Sequence, residues 1–155
     1  MRRHVLLSFL PLVLPGALAA QSHPLAGKWE ISIPVGATVE NGVTTPIFAN
    51  GAISLGVEGD SIIGTLKTEP PPGYPARPPA RLAAGVAAAP SVFVVNSEAT
   101  IDINGVESKR KVTSTYTMTA KGDELEGTIA REIEGGDLPK LEPQTFRGKR
   151  AKPAG

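Results

Sequence analysis

The sequence contains no cysteine and only two histidines, His4 and His23. It therefore has no disulfide, no thiolate nucleophile and no sulfur ligand for a metal ion. After residue 20, His23 is the sole histidine, so neither a catalytic triad nor a multi-histidine metal site is expected. These absences predict a protein without a metal or a cofactor, held together by packing and backbone pairing alone.

An excess of charge of either sign is also missing, since 16 Lys and Arg residues are balanced by 15 Asp and Glu residues. A basic cluster is present in the C-terminal RGKRAKP, residues 147–153. A balanced surface offers no electrostatic basis for binding nucleic acid. Of the 155 residues, 41% are hydrophobic, which suits one globular domain with a real core.

The N-terminal apolar run, residues 5–14, is far shorter than the roughly 20 residues that a membrane-spanning helix needs. Two arginines precede this run, and small residues follow it at 17, 19 and 20. That order is typical of a secretory signal peptide. We therefore expect residues 1–20 to be cleaved and residues 21–155 to form a single domain that is periplasmic or secreted, without a membrane span.

An apolar stripe of helical period is absent as well, and short runs of Val, Ile, Thr, Phe and Tyr alternate with turn residues instead. This pattern predicts an all-β protein, an up-and-down antiparallel β-barrel of about eight strands. The predicted strands are residues 27–35, 43–48, 52–58, 61–68, 91–103, 106–120, 124–133 and 145–152. The alanine-rich residues 80–89 are predicted as a short strand or irregular wall rather than a helix. The Pro-rich residues 69–79 are predicted as an extended loop, a lid or connector rather than a docking motif.

Asn-Gly pairs predict tight turns, because both residues tolerate the positive φ that two-residue hairpin loops need. They occur at residues 41–42, 50–51 and 104–105. A Gly-Asp pair begins each of two similar segments, GDSIIGTL and GDELEGTI, and predicts two equivalent hairpins. Counting outward from each turn places Leu55 opposite Gly64 and Met118 opposite Gly127, as on a strongly bent sheet.

The stretch TSTYTMT has a threonine at every second position from Thr113 to Thr119. Since side chains alternate across a strand, the threonines are predicted to face solvent, and Ser114, Tyr116 and Met118 to face inward. Counting back through the turn at residues 104–105 pairs Phe93 with Tyr116 on the same inward face. The threonines thus form the outside of a barrel wall.

LAGKWEISI carries Gly27 and Trp29 in the first predicted strand, and FRGKR ends the last strand with Arg150. These two ends of the predicted domain resemble those of the lipocalin-like, or calycin, β-barrels, and the domain is similar in size to the compact bacterial members of that superfamily. The resemblance implies that Trp29 packs under Arg150 and closes the floor of the barrel through a cation–π contact.

Two arginines fall on the inward face of the predicted strands, Arg131 opposite Ser114 and Arg110 two residues before Val112. A charge that points into a barrel needs a partner. In one interpretation both lie at the open mouth and reach water, or a bulge turns one outward. In the other they bind an anion at the end of an apolar pocket. The predicted ligand-binding residues are Arg131, Arg110, Ser114, Tyr116, Met118 and Phe93.

Three functional hypotheses follow. The first is an exported binding module that holds a small apolar or amphipathic ligand. In one version of this hypothesis the ligand carries an anionic group. The second is an envelope interaction or structural module with a solid barrel, its interior filled by Trp29, Ile31, Phe93, Tyr116, Met118 and Phe146. The third, disfavoured by the missing His and Cys, is a barrel isomerase or cyclase that works by positioning with Arg and Tyr. No catalytic residue is predicted, and the pattern fixes no oligomeric state.

Overall fold

The computed structural model describes residues 23–41, 43–103, 105–135, 138 and 140–153. Its regular elements are all strands: β1 (Gly27–Glu40), β2 (Val43–Glu58), β3 (Ser61–Glu69), β4 (Ala80–Gly85), β5 (Ser91–Ile103), β6 (Val106–Lys121), β7 (Glu124–Ile133) and β8 (Gln144–Arg150). The predicted signal peptide lies outside the described residues, as do Gly42 and Asn104 of two predicted turns. The described part of the chain contains no helix, and so none that could cross a membrane.

The eight strands form one sheet in the order β4-β3-β2-β1-β8-β7-β6-β5. Every hydrogen-bonded pair in this order is antiparallel. The end strands β4 and β5 lie beside each other, but the hydrogen-bonded order stops at them. The sheet is therefore a nearly closed barrel with one seam, and the predicted all-β up-and-down architecture is confirmed.

The predicted turn at Asn50-Gly51 is wrong, because β2 runs unbroken through both residues. Asn50 pairs with Ser32 on one side and with Glu69 on the other. A Cβ on Gly51 would lie 2.7 Å from the main-chain oxygen of Lys67. The glycine therefore permits a close approach between strands rather than a change of direction.

The alanine-rich segment forms the short strand β4, which pairs with β3 from Ala80 opposite Leu66 to Gly85 opposite Ser61. This confirms a strand over the first part of residues 80–89. Helix propensity favours alanine in an isolated peptide, but strand pairing and the buried Leu82 decide the outcome here.

Both Gly-Asp hairpins have the predicted register. Glu58 pairs with Ser61 and Lys121 pairs with Glu124, so each loop has two residues. The first loop residue has positive φ in both, 61° at Gly59 and 62° at Gly122. As a result Leu55 lies opposite Gly64 and Met118 lies opposite Gly127, as predicted.

The inward and outward faces of β6 are also as predicted. Ser114, Tyr116 and Met118 are buried, whereas Thr113 and Thr119 are more exposed. The interior of the barrel is filled by large buried side chains: Trp29, Ile31, Ile33, Ile53, Leu66, Leu82, Phe93, Tyr116, Met118, Leu125, Ile129 and Phe146. Together they form one continuous apolar cluster, which provides most of the folding energy in a chain without disulfides.

The glycines opposite the large side chains differ in what surrounds them. A Cβ on Gly64 would lie 1.8 Å from the main-chain oxygen of Ser54, whereas a Cβ on Gly127 would meet the ring of Phe146 at 2.4 Å. Phe146 is the β8 register partner of Gly127, so its ring, from the strand on the other side, fills the space above that glycine. The backbone of Ser54 cannot move away from a side chain added at Gly64, whereas the ring of Phe146 can rotate in part to admit one at Gly127.

We expect Gly127→Val to lower the free energy of unfolding by about 1 to 3 kcal/mol, and Gly64→Val to lower it by more than that. The reason is that valine at Gly127 displaces a ring, whereas valine at Gly64 requires two strands to separate. Urea unfolding of each variant measures the difference. Thr117→Val on the outer face should stay within about 0.5 kcal/mol of the wild type. Equal losses at all three positions would contradict the assignment of faces.

Candidate functional site

The up-and-down topology gives the barrel two chemically different ends. The Gly-Asp turns after β2 and β6 share one end with the start of β1 and the end of β8, and we call this end the floor. The connections after β1, β3, β5 and β7 are at the opposite end, which we call the mouth. The Pro-rich segment, residues 70–79, connects β3 to β4 and therefore lies at the mouth.

Trp29 and Arg150 meet at the floor. They are register partners across β1 and β8, and the guanidinium carbon of Arg150 lies 4.2 Å from the centroid of the indole. Trp29 is fully buried, and its Nε1 donates a hydrogen bond to the main-chain oxygen of Leu25 at 2.9 Å. A buried indole with a satisfied N–H and a cation over its face is a structural closure rather than a binding site.

The other donors of Arg150 join the two chain ends to the turn after β6. Its Nε donates to Oδ1 of Asp123 at 3.1 Å. Its terminal nitrogens donate to the main-chain oxygens of Ala26 at 2.8 Å, Pro24 at 3.2 Å and Gly122 at 3.3 Å. One side chain thus connects the segment before β1, the β6–β7 turn and the last strand. Asp123 serves that connection.

Arg131 lies near the mouth, half-buried, opposite Ser114. Its Nη1 donates to Oε1 of Gln144 at 3.1 Å, and its Nη2 donates to the main-chain oxygen of Pro34. The pairing of β1 with β8 ends at Ser32, so the guanidinium binds a carbonyl just beyond the point where β8 stops covering β1. Both of these acceptors are neutral, and the charge of Arg131 is left without a carboxylate among the described residues.

Tyr116 lies on β6, two residues from Ser114, the register partner of Arg131. It is 8% exposed and packs edge-to-face on Phe146, with 6.4 Å between ring centroids. Burial raises the pKa of the Tyr116 phenol, while the charges of Arg131 and Arg77 and a hydrogen bond with Ser114 oppose this rise. Burial lowers the pKa of Arg131; Tyr116 opposes that change and Arg77 adds to it. The phenol is therefore neutral at physiological pH and can take part in a hydrogen bond.

Arg110 is engaged elsewhere. Its Nε donates to Oγ of Ser108 at 3.1 Å, and its Nη1 donates to the main-chain oxygen of Glu134 at 3.2 Å. These contacts hold the guanidinium against its own strand and the end of β7. The cation that acts on Arg131 and Tyr116 is Arg77 of the Pro-rich segment, which the sequence analysis did not single out. The sequence could have indicated this residue, because Arg77 is the one charged residue between Glu69 and Arg81.

Phe93 and Met118, the other two predicted ligand-binding residues, lie in the packed core. Phe93 pairs with Tyr116, Met118 pairs with Ser91, and each side chain is at most 1% exposed. Two concavities of the described part lie on the outer surface instead, with volumes of about 780 Å³ and 340 Å³. The larger is lined by charges of both signs, among them Glu30, Lys67 and Lys149.

Carboxylates do not gather at either end into a metal site. Within the described residues, no group of three or more His, Asp or Glu side chains is placed to hold a metal ion. The acidic loop after β7 is described in part only, since Gly136 and Asp137 lie outside the described residues. The groups gathered around Arg131 are the phenol of Tyr116 and the hydroxyl of Ser114 on β6 and the amide of Gln144 on β8.

The role of Arg150 at the floor gives a direct stability test. We expect Arg150→Ala to lower the free energy of unfolding by about 2 to 4 kcal/mol, because it removes the cation over Trp29 and uncovers several carbonyl acceptors. Arg147→Ala is the matched control on the same strand, because that side chain is 84% exposed and its ion pair with Glu126 spans 3.7 Å. Thermal unfolding should separate the two variants by several degrees, and equal melting temperatures would contradict the structural role.

No family model matches the chain, and comparisons with curated proteins and with solved structures find no match. The likeness to calycin barrels therefore rests on the architecture and on the two ends of the domain. Eight antiparallel strands in a nearly closed barrel are compatible with that fold. The stacked pair Trp29 and Arg150 lies where the resemblance implied it.

Proposed function

We propose that this protein is a binding module for a small amphipathic molecule, whose anionic group is held at the mouth by Arg131 and Tyr116. The observation that supports this is the environment of Arg131. Its half-buried guanidinium has neutral oxygens as its hydrogen-bond acceptors, and the neutral phenol of Tyr116 projects from the adjacent strand. A partly desolvated cation in such surroundings gains more from an anion than an exposed one does.

The filled interior limits where the apolar part of such a ligand would lie. Ile33 and Phe93 are at most 1% exposed, so a long chain would have to displace them. Val35 and Val95 are only partly buried and pack against the core. A short apolar group fits best against these rim side chains, with its charged group directed to Arg131.

Export, to the periplasm or beyond the cell, is part of the same proposal. Its support is the N-terminal pattern of two arginines, an apolar run and small residues. A lipocalin-like origin agrees with the barrel and with its floor. The likeness between such barrels extends to architecture, and it does not determine the ligand.

A solid interaction module is the second candidate, and the packing of the interior favours it. All six side chains that this hypothesis requires to fill the barrel are buried: Trp29, Ile31, Phe93, Tyr116, Met118 and Phe146. In this case the outer surface would meet a protein partner and Arg131 would serve the structure alone. Native mass spectrometry of protein from its own source distinguishes the two, since the first candidate retains a small molecule and the second does not.

The binding test compares octanoate with octanol by titration calorimetry. Calorimetry is preferred to the fluorescence of Trp29, because that residue lies at the floor, about 16 Å along β1 from Pro34. We expect octanoate to bind at least about tenfold more tightly than octanol, because only the carboxylate pairs with the guanidinium. Arg131→Met should remove this preference.

The matched control is Gln144→Leu. Both substitutions remove the hydrogen bond between Arg131 and Gln144, and both should lower the melting temperature, but Gln144→Leu leaves the charge in place. It should therefore retain the preference for octanoate. If the wild type binds neither probe, or if Arg131→Met loses stability alone, the binding proposal is refuted and the solid interaction module is the better one.

A further inference from the structure

The hairpin of β1 and β2 extends beyond the strands on either side of it. Strand β8 pairs with β1 only as far as Ser32, and β3 pairs with β2 only from Asn50 onward. The end of the hairpin, residues 34–41 and 43–48, is therefore a two-stranded arm at the mouth, and no other strand of the described residues pairs with it. We call its two sides the β1 edge and the β2 edge.

Pro34 explains why β8 leaves β1 at this point. Successive residues of a paired strand direct their main-chain groups to opposite sides. The carbonyl of Lys28 accepts from the N–H of Ala151, just after β8, so Pro34 also faces the β8 side. Proline has no N–H to donate, and its carbonyl accepts from Nη2 of Arg131 instead. Arg131 thus lies where the β1 edge begins.

Beyond Pro34, Ala37 and Val39 direct their main-chain N–H and C=O groups to the β1 edge. Glu40 pairs with Val43 across a two-residue turn, so this pair exchanges hydrogen bonds within the arm, as does every second pair before it. The groups of Ala37 and Val39 lie at the pairs between and point away from β2. No main-chain hydrogen bond from another described strand or loop reaches either residue.

The β1 edge lacks the protection that other free edges of this sheet have. Natural sheets block such edges with proline or with charged side chains. On the β2 edge, Pro46 lies opposite Ala37 and so presents a nitrogen without a hydrogen. In the other long hairpin, residues 96–111 include six charged residues, whereas residues 34–48 contain Glu40 alone. An unprotected edge with free donors and acceptors is suited to an added strand.

An added strand can continue the line of β8. Because β8 is antiparallel to β1, a peptide that continues this pairing runs from the mouth towards the floor and ends beside Arg131. Residues 140–143, which lead into β8, are exposed and belong to no strand. A guanidinium has five N–H donors, and the hydrogen bonds to Gln144 and Pro34 use two of them. Donors therefore remain for a terminal carboxylate.

We propose that the ligand of this protein is the C-terminal end of an extended peptide, which adds a strand to the β1 edge and places its carboxylate on Arg131. This inference rests on the proposed function and names the class of ligand. Pairing with Ala37 and Val39 provides affinity that depends little on the peptide sequence, and Arg131 selects a free C-terminus. About five residues are needed to span the edge from Val35 to Val39.

Titration calorimetry compares the acetylated pentapeptide Thr-Val-Thr-Val-Ala with its C-terminal amide and with octanoate. We expect the free acid to bind at least about tenfold more tightly than the amide, because the amide has no charge for Arg131. The free acid should also bind more tightly than octanoate, which has no main chain to pair with the β1 edge.

Two matched proline variants test the edge itself. Ala37→Pro removes one outward N–H and leaves the hydrogen bonds to β2 in place. It should weaken binding of the pentapeptide about fivefold to tenfold and leave that of octanoate unchanged. Thr44→Pro makes the same change on the β2 edge and should match the wild type for both probes.

Hydrogen exchange of the wild type gives a test that needs no variant. The amides of Ala37 and Val39 should exchange rapidly in the free protein and at least about tenfold more slowly when the pentapeptide is bound, because they then donate to its main chain. The amides of Thr44 and Phe48 on the β2 edge should not change. Octanoate should protect none of the four.

The outcomes separate this inference from the proposed function. If the wild type binds neither octanoate nor the pentapeptide, both are refuted. If it binds octanoate but binds the pentapeptide no more tightly, or binds the pentapeptide without protecting Ala37 and Val39, the anion site stands and strand addition is refuted. Self-association that Ala37→Pro abolishes, measured by sedimentation, would identify a second copy as the occupant of the β1 edge and would also overturn the peptide proposal.

Discussion

The rest of this structure depends on the filling of a narrow barrel by side chains that alternate across each strand. An eight-stranded barrel is only just wide enough for its inward side chains to meet, and here the rows from opposite walls form one apolar cluster. No disulfide supplements this packing. Glycines such as Gly64 and Gly127 allow the walls to bend towards that cluster, because a side chain there would strike the neighbouring strand or its ring.

The arginines at the two ends of the barrel have different kinds of partner. At the floor, the guanidinium of Arg150 stacks on the indole of Trp29 and donates hydrogen bonds to a carboxylate and several carbonyls. Its charge is therefore compensated within the fold. At the mouth, Arg131 has neutral oxygens as its hydrogen-bond acceptors. The same residue type is thus a structural connector at one end and a candidate for ligand recognition at the other, and the difference lies in which partners the fold provides.

The seam between β4 and β5 lies next to the Pro-rich segment at the mouth. The short β4 follows directly after the Pro-rich segment, residues 70–79, so the strand that leaves the barrel incompletely closed also fixes the end of that segment. The segment therefore joins the sheet at the mouth next to the strand pair where hydrogen bonding is interrupted.

Local sequence determined the strands, the hairpin registers and the inside and outside of the wall. Alternation in TSTYTMT and the two Gly-Asp turns were sufficient for this, because a two-residue turn specifies every pair in its hairpin. The same rules were wrong at Asn50-Gly51, where the close approach of Lys67 decides the use of the glycine. The partners of Arg131 and the position of Arg77 were decided by tertiary structure alone. Gln144 lies on the next strand, but Pro34 is 97 residues from Arg131 in the chain, and only the pairing of β1 with β8 brings it there.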